Sequence, residues 1–240
     1  MKFLVPNAVT ASSMILGLAS VVCAAQGQLE LAAWMIVWGV LLDTVDGAAA
    51  RLLDASSALG AQLDSFSDFV VFGVAPAALV YFGCASAGNP NLTVMVGASA
   101  FVVSTAIRLS RFNTAPPPYG PGFFKGIPST SCGAFVALTH LVAGRQGVLE
   151  GWRFVAPLIL GLTIVAMHSP IRLPKLRPGK NMLLNFFMGI GVVMAYTLGP
   201  LQMWPEALLG LEGVALIGGA LWAGLHRSRI LTGTPSQGLR

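Results

Sequence analysis

Charge is scarce in this sequence: Asp, Glu, Lys and Arg make up 10% of 240 residues, whereas 55% are hydrophobic and the mean hydropathy is +0.76. Soluble domains carry about a quarter charged residues, so that class is excluded. Cysteine is scarce too. Cys23, Cys84 and Cys132 lie in or beside apolar runs, with neither metal-ligand spacing nor disulfide-scaffold density, and read as packing residues. No coiled coil, internal repeat, low-complexity segment or polar stretch long enough for a second folded domain is evident. A net charge of +5 would suit nucleic acid in a polar chain. In so apolar a chain it is expected to mark cytoplasmic loops, and no nucleic-acid partner is predicted.

What the sequence does have is apolar runs. A bilayer core of about 30 Å needs roughly 20 apolar residues per helix. Eight candidate spans lie near 7–25, 29–50, 62–82, 92–109, 129–143, 154–168, 182–198 and 206–225. The expected fold is therefore all-α, a polytopic integral membrane bundle of about eight transmembrane helices. It forms one domain over 1–231, with a frayed tail over 232–240. Met1-Lys2-Phe3 and the run behind it resemble a secretory leader in outline. Pro6, Asn7 and Thr10 place polar groups where a leader is most apolar, so an uncleaved first span is expected.

Eight spans would put both ends of the chain on one side. Lys2, Arg51, Arg108, Arg111, Lys125, Arg172, Lys175, Arg177, Lys180, Arg227, Arg229 and Arg240 then share that side, and only Arg145 and Arg153 face the other. This asymmetry predicts that the shared side is the cytoplasm, in a bacterial-type inner membrane. The run Arg172, Lys175, Arg177 and Lys180 is expected to meet anionic lipid headgroups.

Five of the nine acids fall between Asp43 and Asp68, where an even spread would put about one. Asp43 and Asp46 are three apart at the end of the second span, and Asp64 and Asp68 are four apart at the start of the third. Each pair shares a helix face, so four carboxylates converge if the two helices are neighbours. An aspartate at mid-membrane costs on the order of 3 kcal/mol, before repulsion is counted. Two divalent cations would balance four charges, and oxygen ligands suit Mg²⁺, Mn²⁺ or Ca²⁺. Cations so placed could bridge a diphosphate and orient an attacking hydroxyl. Gly47 and Gly60 remove side chains beside the acids, and Arg51 offers a fork for phosphate oxygens. Asp54 falls in the connection and reads as a solvated acid.

Written out, Asp43-x2-Asp46-Gly47-x2-Ala50-Arg51-x8-Gly60-x3-Asp64-x3-Asp68 resembles the complete signature of the CDP-alcohol phosphatidyltransferase family. The resemblance implies attack of an alcohol on the phosphatidyl phosphorus of CDP-diacylglycerol, with CMP leaving. It implies that Asp43, Asp46, Asp64 and Asp68 hold two metals and that Asp68 is the base, with Gly47, Ala50, Arg51 and Gly60 lining the nucleotide and diphosphate pocket. The flanking segments 60–65, 72–77, 108–113, 126–128 and 169–172, with Pro6-Asn7 and Thr10, are similar to the branch that forms phosphatidylserine from L-serine. They add Asn7, Thr10, Ser65 and Asn113 to the expected substrate-binding set. Arg108, Arg111 and Lys125 flank one loop and could hold a substrate phosphate or a serine carboxylate. Ordinary positive-inside placement explains them equally well.

Two departures from that branch stand out. Val71 replaces its usual serine, and Ser129-Thr130-Ser131-Cys132 replaces a Pro- and Ala-rich segment. Either would change the acceptor if it touched it. The expected reaction is phosphatidyl transfer to serine; inositol phosphate or glycerol phosphate as acceptor is the first alternative. A cation transporter is the second, and it leaves Gly47, Arg51 and Gly60 without a role. Small-residue helix packing is compatible with a homodimer. His140, His168 and His226 lack metal spacing and read as hydrogen-bonded structural residues. The last two spans carry no recognisable motif.

Overall fold

A computed structural model describes residues 4–52, 57–86, 92–114, 123–174 and 193–225. Lys2, Asp54, Lys175, Arg177, Lys180, Arg227, Arg229, Arg240, His226, most of the seventh expected span and the 232–240 tail lie outside the described residues. The chain runs α1 (Leu4–Ala25), α2 (Leu29–Leu52), α3 (Ala58–Phe69), a π-helical turn (Val70–Val74), α4 (Ala75–Ser86) and α5 (Leu92–Thr114). Then follow β1 (Phe123–Lys125), α6 (Ser129–Arg145), α7 (Leu149–His168), β2 (Arg172–Pro174), α8 (193–198) and α9 (Pro205–Leu225). The all-α expectation holds apart from the six-residue ribbon of β1 and β2.

Among the described residues, three helical stretches are long and apolar enough to cross a membrane: Asn7–Ala25, Ala58–Ala85 and Leu92–Thr114. α2 has 24 residues but carries Glu30, Asp43 and Asp46, and in α7 the described apolar stretch is Phe154–His168. Large apolar side chains stand exposed in helical stripes, including Phe154, Leu158, Leu162 and Val165 on α7 and Val214, Ile217 and Leu221 on α9. Stripes of this kind are stable facing hydrocarbon, not water, so the protein is an integral membrane protein.

α1 packs along α2 through a tight turn at Gly27, whose φ of +79° favours glycine. The Ser20 hydroxyl donates across this pair to the Ala32 carbonyl at 2.8 Å. Two apolar clusters hold the bundle. Trp34, Ile36, Phe72, Leu79 and Leu138 join α2, the π turn, α4 and α6. Val80, Phe101, Val136, Leu160 and Met167 join α4 through α7.

The third expected span is one helical rod interrupted by the π turn, which begins two residues after Asp68. Ala75 N–H donates to Val70 O, five residues back, so the turn holds an extra residue. Val71, Phe72 and Gly73 are consecutively buried there. Gly133 of α6 crosses so closely that a Cβ on it would sit 2.9 Å from Phe72 Cα. The Val71 side chain fills a slot whose walls are Gly17 of α1 and Gly39 of α2; a Cβ on Gly17 would lie 2.9 Å from Val71 Cγ2, and one on Gly39 would meet Cγ1. Val71 is fully buried. Its departure from the serine-using branch is thus a packing feature between three helices.

The ribbon is absent from the expectation because three-residue strands have no legible period. Phe123, Phe124 and Lys125 lie opposite Pro174, Leu173 and Arg172. Gly126 N–H donates to Ile171 O at 2.8 Å, which makes 126/171 and 124/173 the hydrogen-bonding positions. Pro174 therefore falls where no ladder N–H is required.

Overfilling the Val71 slot should destabilise the bundle. Gly39→Ala is expected to cost about 1–3 kcal/mol and lower the unfolding temperature in detergent, while adding Val71→Ala should recover part of the loss. Thermal unfolding of the two variants measures this.

Candidate active site

Asp43 and Asp46 lie in the second half of α2, whereas α3 carries Asp64 at its middle and Asp68 one residue before its end. The start of α3 is set by Ser57, whose hydroxyl caps Gly60 N–H at 3.0 Å. One carboxylate oxygen each from Asp43, Asp64 and Asp68 lies within 4.8 Å of the others. The Asp43 and Asp68 carboxyls are within hydrogen-bonding reach of each other. These three could hold a metal ion.

Asp46 lies beside this group and is turned toward α1. It is 4% exposed, and its Oδ2 accepts the Thr10 hydroxyl at 2.9 Å. The Thr10 carbonyl in turn accepts the Ser67 hydroxyl at 3.2 Å. Thr10 thus ties both acidic helices to α1. The sequence-derived foursome is resolved into a convergent triad and a neighbour held by α1.

The two glycines serve different ends. A Cβ on Gly60 would sit 3.0 Å from Ser57 Oγ and 3.3 Å from Asn7 Oδ1, so this glycine admits the Asn7 side chain to the first turn of α3. A Cβ on Gly47 would meet nothing within 4 Å. Among the described residues no contact requires glycine at 47, and they leave the space beside it open. Ala50 and Arg51 fall in the last turn of α2, where their side chains lie outside the described residues.

The remaining candidates line the opposite wall. Asn113 Nδ2 donates to Ser65 Oγ at 2.8 Å, linking the end of α5 to the acidic face of α3. Arg108 is half-buried, within electrostatic reach of Asp68, and its Nε donates to Ile127 O at 3.0 Å. Arg111 and Lys125 are exposed. His168 pairs with Ser104 at 2.8 Å, as expected of a structural histidine. His140 is buried edge-on to Trp152 with ring centroids 5.0 Å apart, and its Nδ1 has no partner among the described residues. Cys23, Cys84 and Cys132 are unpaired, the last two buried in packing positions.

Ser131, part of the second departure, faces Glu212 of α9. Glu212 Oε2 is buried without a partner among the described residues. A carboxyl at this depth needs a polar neighbour, and Ser131 supplies one. That pairing joins α6 to a helix in which sequence reasoning found no motif; only the lone acid in an apolar run could have signalled it.

The sequence pattern of the family described as CDP-alcohol phosphatidyltransferase matches residues 3–216. The CDP-diacylglycerol–serine O-phosphatidyltransferase of Helicobacter pylori strain J99 is 35% identical over 222 residues, covering 91% of this chain and 90% of the relative. The enzyme of the same name from Mycobacterium tuberculosis strain H37Rv is 34% identical over 154 residues, 62% of this chain and 52% of the relative. That from Bacillus subtilis strain 168 is 37% identical over 109 residues, 45% of this chain and 60% of the relative. A match across nearly the whole length, with the acidic signature folded into one cluster, makes this chain a member of the CDP-alcohol phosphatidyltransferase family.

Proposed function

We propose that this protein transfers the phosphatidyl group of CDP-diacylglycerol to the hydroxyl of L-serine, giving phosphatidylserine and CMP, on the cytoplasmic face of a bacterial inner membrane. The observation that carries the reading is the convergence of Asp43, Asp64 and Asp68, with the open space at Gly47 beside it. The full-length likeness to the Helicobacter pylori enzymes favours serine among acceptors.

The donor set suits two hard divalent cations, Mg²⁺ or Mn²⁺ with Ca²⁺ tolerated. It is made of carboxylates, and among the described residues none of the four aspartates forms an ion pair with Lys or Arg. Asp43, Asp46, Asp64 and Asp68 would hold them. When bound, the cations neutralise the diphosphate and stabilise the departing CMP.

The side chains do the rest. Asp68 accepts the proton of the serine hydroxyl as its oxygen bonds to phosphorus and the bond from phosphorus to the CMP oxygen breaks. Thr10 keeps Asp46 aligned, since a buried carboxylate without its donor would turn away. Gly47 leaves room for the diphosphate, which Ala50 and Arg51 flank in this reading. Asn7 and Gly60 shape the α3 edge of the same pocket, and the Asn113–Ser65 bond closes the wall beside Asp64. Arg108 faces the acceptor carboxylate, with Arg111 and Lys125 adding longer-range attraction.

Asp68→Asn should lower CMP release from CDP-diacylglycerol and serine by about 10²–10⁴-fold with the fold intact. Wild-type rate in that variant would remove Asp68 from the reaction. Chelation with EDTA should abolish CMP release, and Mn²⁺ or Mg²⁺ should restore it; Asp43→Asn should demand more metal for half-maximal rate. Reconstituted protein given labelled serine, inositol phosphate and glycerol phosphate separately should make a serine lipid. A different labelled lipid would change the acceptor, and ion flux in liposomes without any CMP would make the acids a transport site.

A further inference from the structure

The Arg108 guanidinium is held from one side. Its Nε donates to the Ile127 carbonyl at 3.0 Å, and among the described residues its two Nη nitrogens have no hydrogen-bond partner. Asp68 is within its electrostatic reach. A guanidinium anchored through Nε presents its Nη pair as a fork of set direction, a shape that matches a carboxylate.

The anchor is itself built by tertiary structure. Ile127 N–H donates to Ala166 O at 3.1 Å, and Gly126 N–H donates to Ile171 O at 2.8 Å. The β1–β2 pairing continues this bond pattern outward. Gly126 has a φ of +71°, and a Cβ there would collide with the Met167 backbone oxygen. Only glycine satisfies both constraints. The Ile127 carbonyl is therefore fixed to the end of α7, and Arg108, on α5, is fixed to it. Lys125 and Arg111 are exposed, and among the described residues neither has such an anchor.

We propose that the Gly126–Ile127 turn, locked by the β1–β2 ribbon, is the positioning element for Arg108, and that it makes the enzyme select acceptor alcohols carrying a carboxylate near the hydroxyl. This deepens the acceptor reading above and rests on it. With the fork held at a set place relative to Asp68, an acceptor spans the two groups only if its hydroxyl and its carboxylate are close together. An alcohol without the carboxylate leaves the fork unfilled and loses a charge-assisted hydrogen-bond pair.

The test compares full-length wild type with Gly126→Ala in lipid–detergent micelles, using serine and serinol, which lacks the carboxylate. The variant should raise the KM for serine about tenfold or more. kcat and the KM for CDP-diacylglycerol should stay within about threefold, and the preference for serine over serinol should fall by the same factor as serine binding. An unchanged serine KM would overturn the proposal, as would a parallel loss in kcat and both KM values. Wild type alone supplies a second reading: the Arg108 Nε–H resonance, assigned by its loss in Arg108→Lys, should exchange with solvent about tenfold more slowly than that of Arg111. Equal exchange would overturn the anchor even if Gly126→Ala does not fold. Production of CMP with some other alcohol but not with serine would sink the serine reading, while the exchange result would still decide the anchor.

Discussion

Crowding of carboxylates between α2 and α3 is the constraint on which the rest of the structure depends. Two like charges 4.8 Å apart repel by about 3 kcal/mol at an effective dielectric near 20, and Asp43, Asp64 and Asp68 lie within that distance of one another. The bundle must hold these side chains together against that repulsion. α1 does much of this. Thr10 donates to Asp46 of α2 and accepts from Ser67 of α3, so one residue sets the spacing of both acidic helices. The Ser57 cap and the close approach of Asn7 to Gly60 fix where α3 begins.

Behind the acids, packing is tightest where it limits movement of Asp68. The π turn starts at Val70, and the residues it buries are gripped by glycines: Val71 by Gly17 and Gly39, Phe72 by Gly133. Each glycine belongs to a different helix, so the rod carrying Asp68 is braced from three directions. The segment from Tyr196 to Gly199 braces α2 in turn. Tyr196 Oη donates to Leu41 O at 2.8 Å and Trp38 Nε1 donates to Gly199 O at 2.9 Å, both onto α2 close to Asp43. In a bilayer the helices gain little from hydrophobic association, so such hydrogen bonds and close backbone contacts supply the specificity of packing.

The departures from the serine-using branch fall at different places in the fold. Val71 packs between glycines, Ser131 faces Glu212, and Cys132 of the same segment lies within electrostatic reach of Arg108.

Helix positions were legible because the apolar runs are long and interrupted by Gly, Pro and charge; α5, α6 and α9 begin within a residue of the expected starts. The acids were legible as well, because three- and four-residue spacings put side chains on one helix face whatever surrounds them. What spacing could not show is which way each carboxylate turns. The donor that draws Asp46 toward α1 is 36 residues away in sequence, and the carbonyl that anchors Arg108 follows a ribbon too short to leave a periodic trace. Local pattern therefore determined the helices and the acidic stripes. Long-range contacts decided that three acids converge while Thr10 of α1 holds the fourth beside them, and that Arg108 is tied through its Nε, because hydrogen bonds at a distance depend on where other helices come to rest.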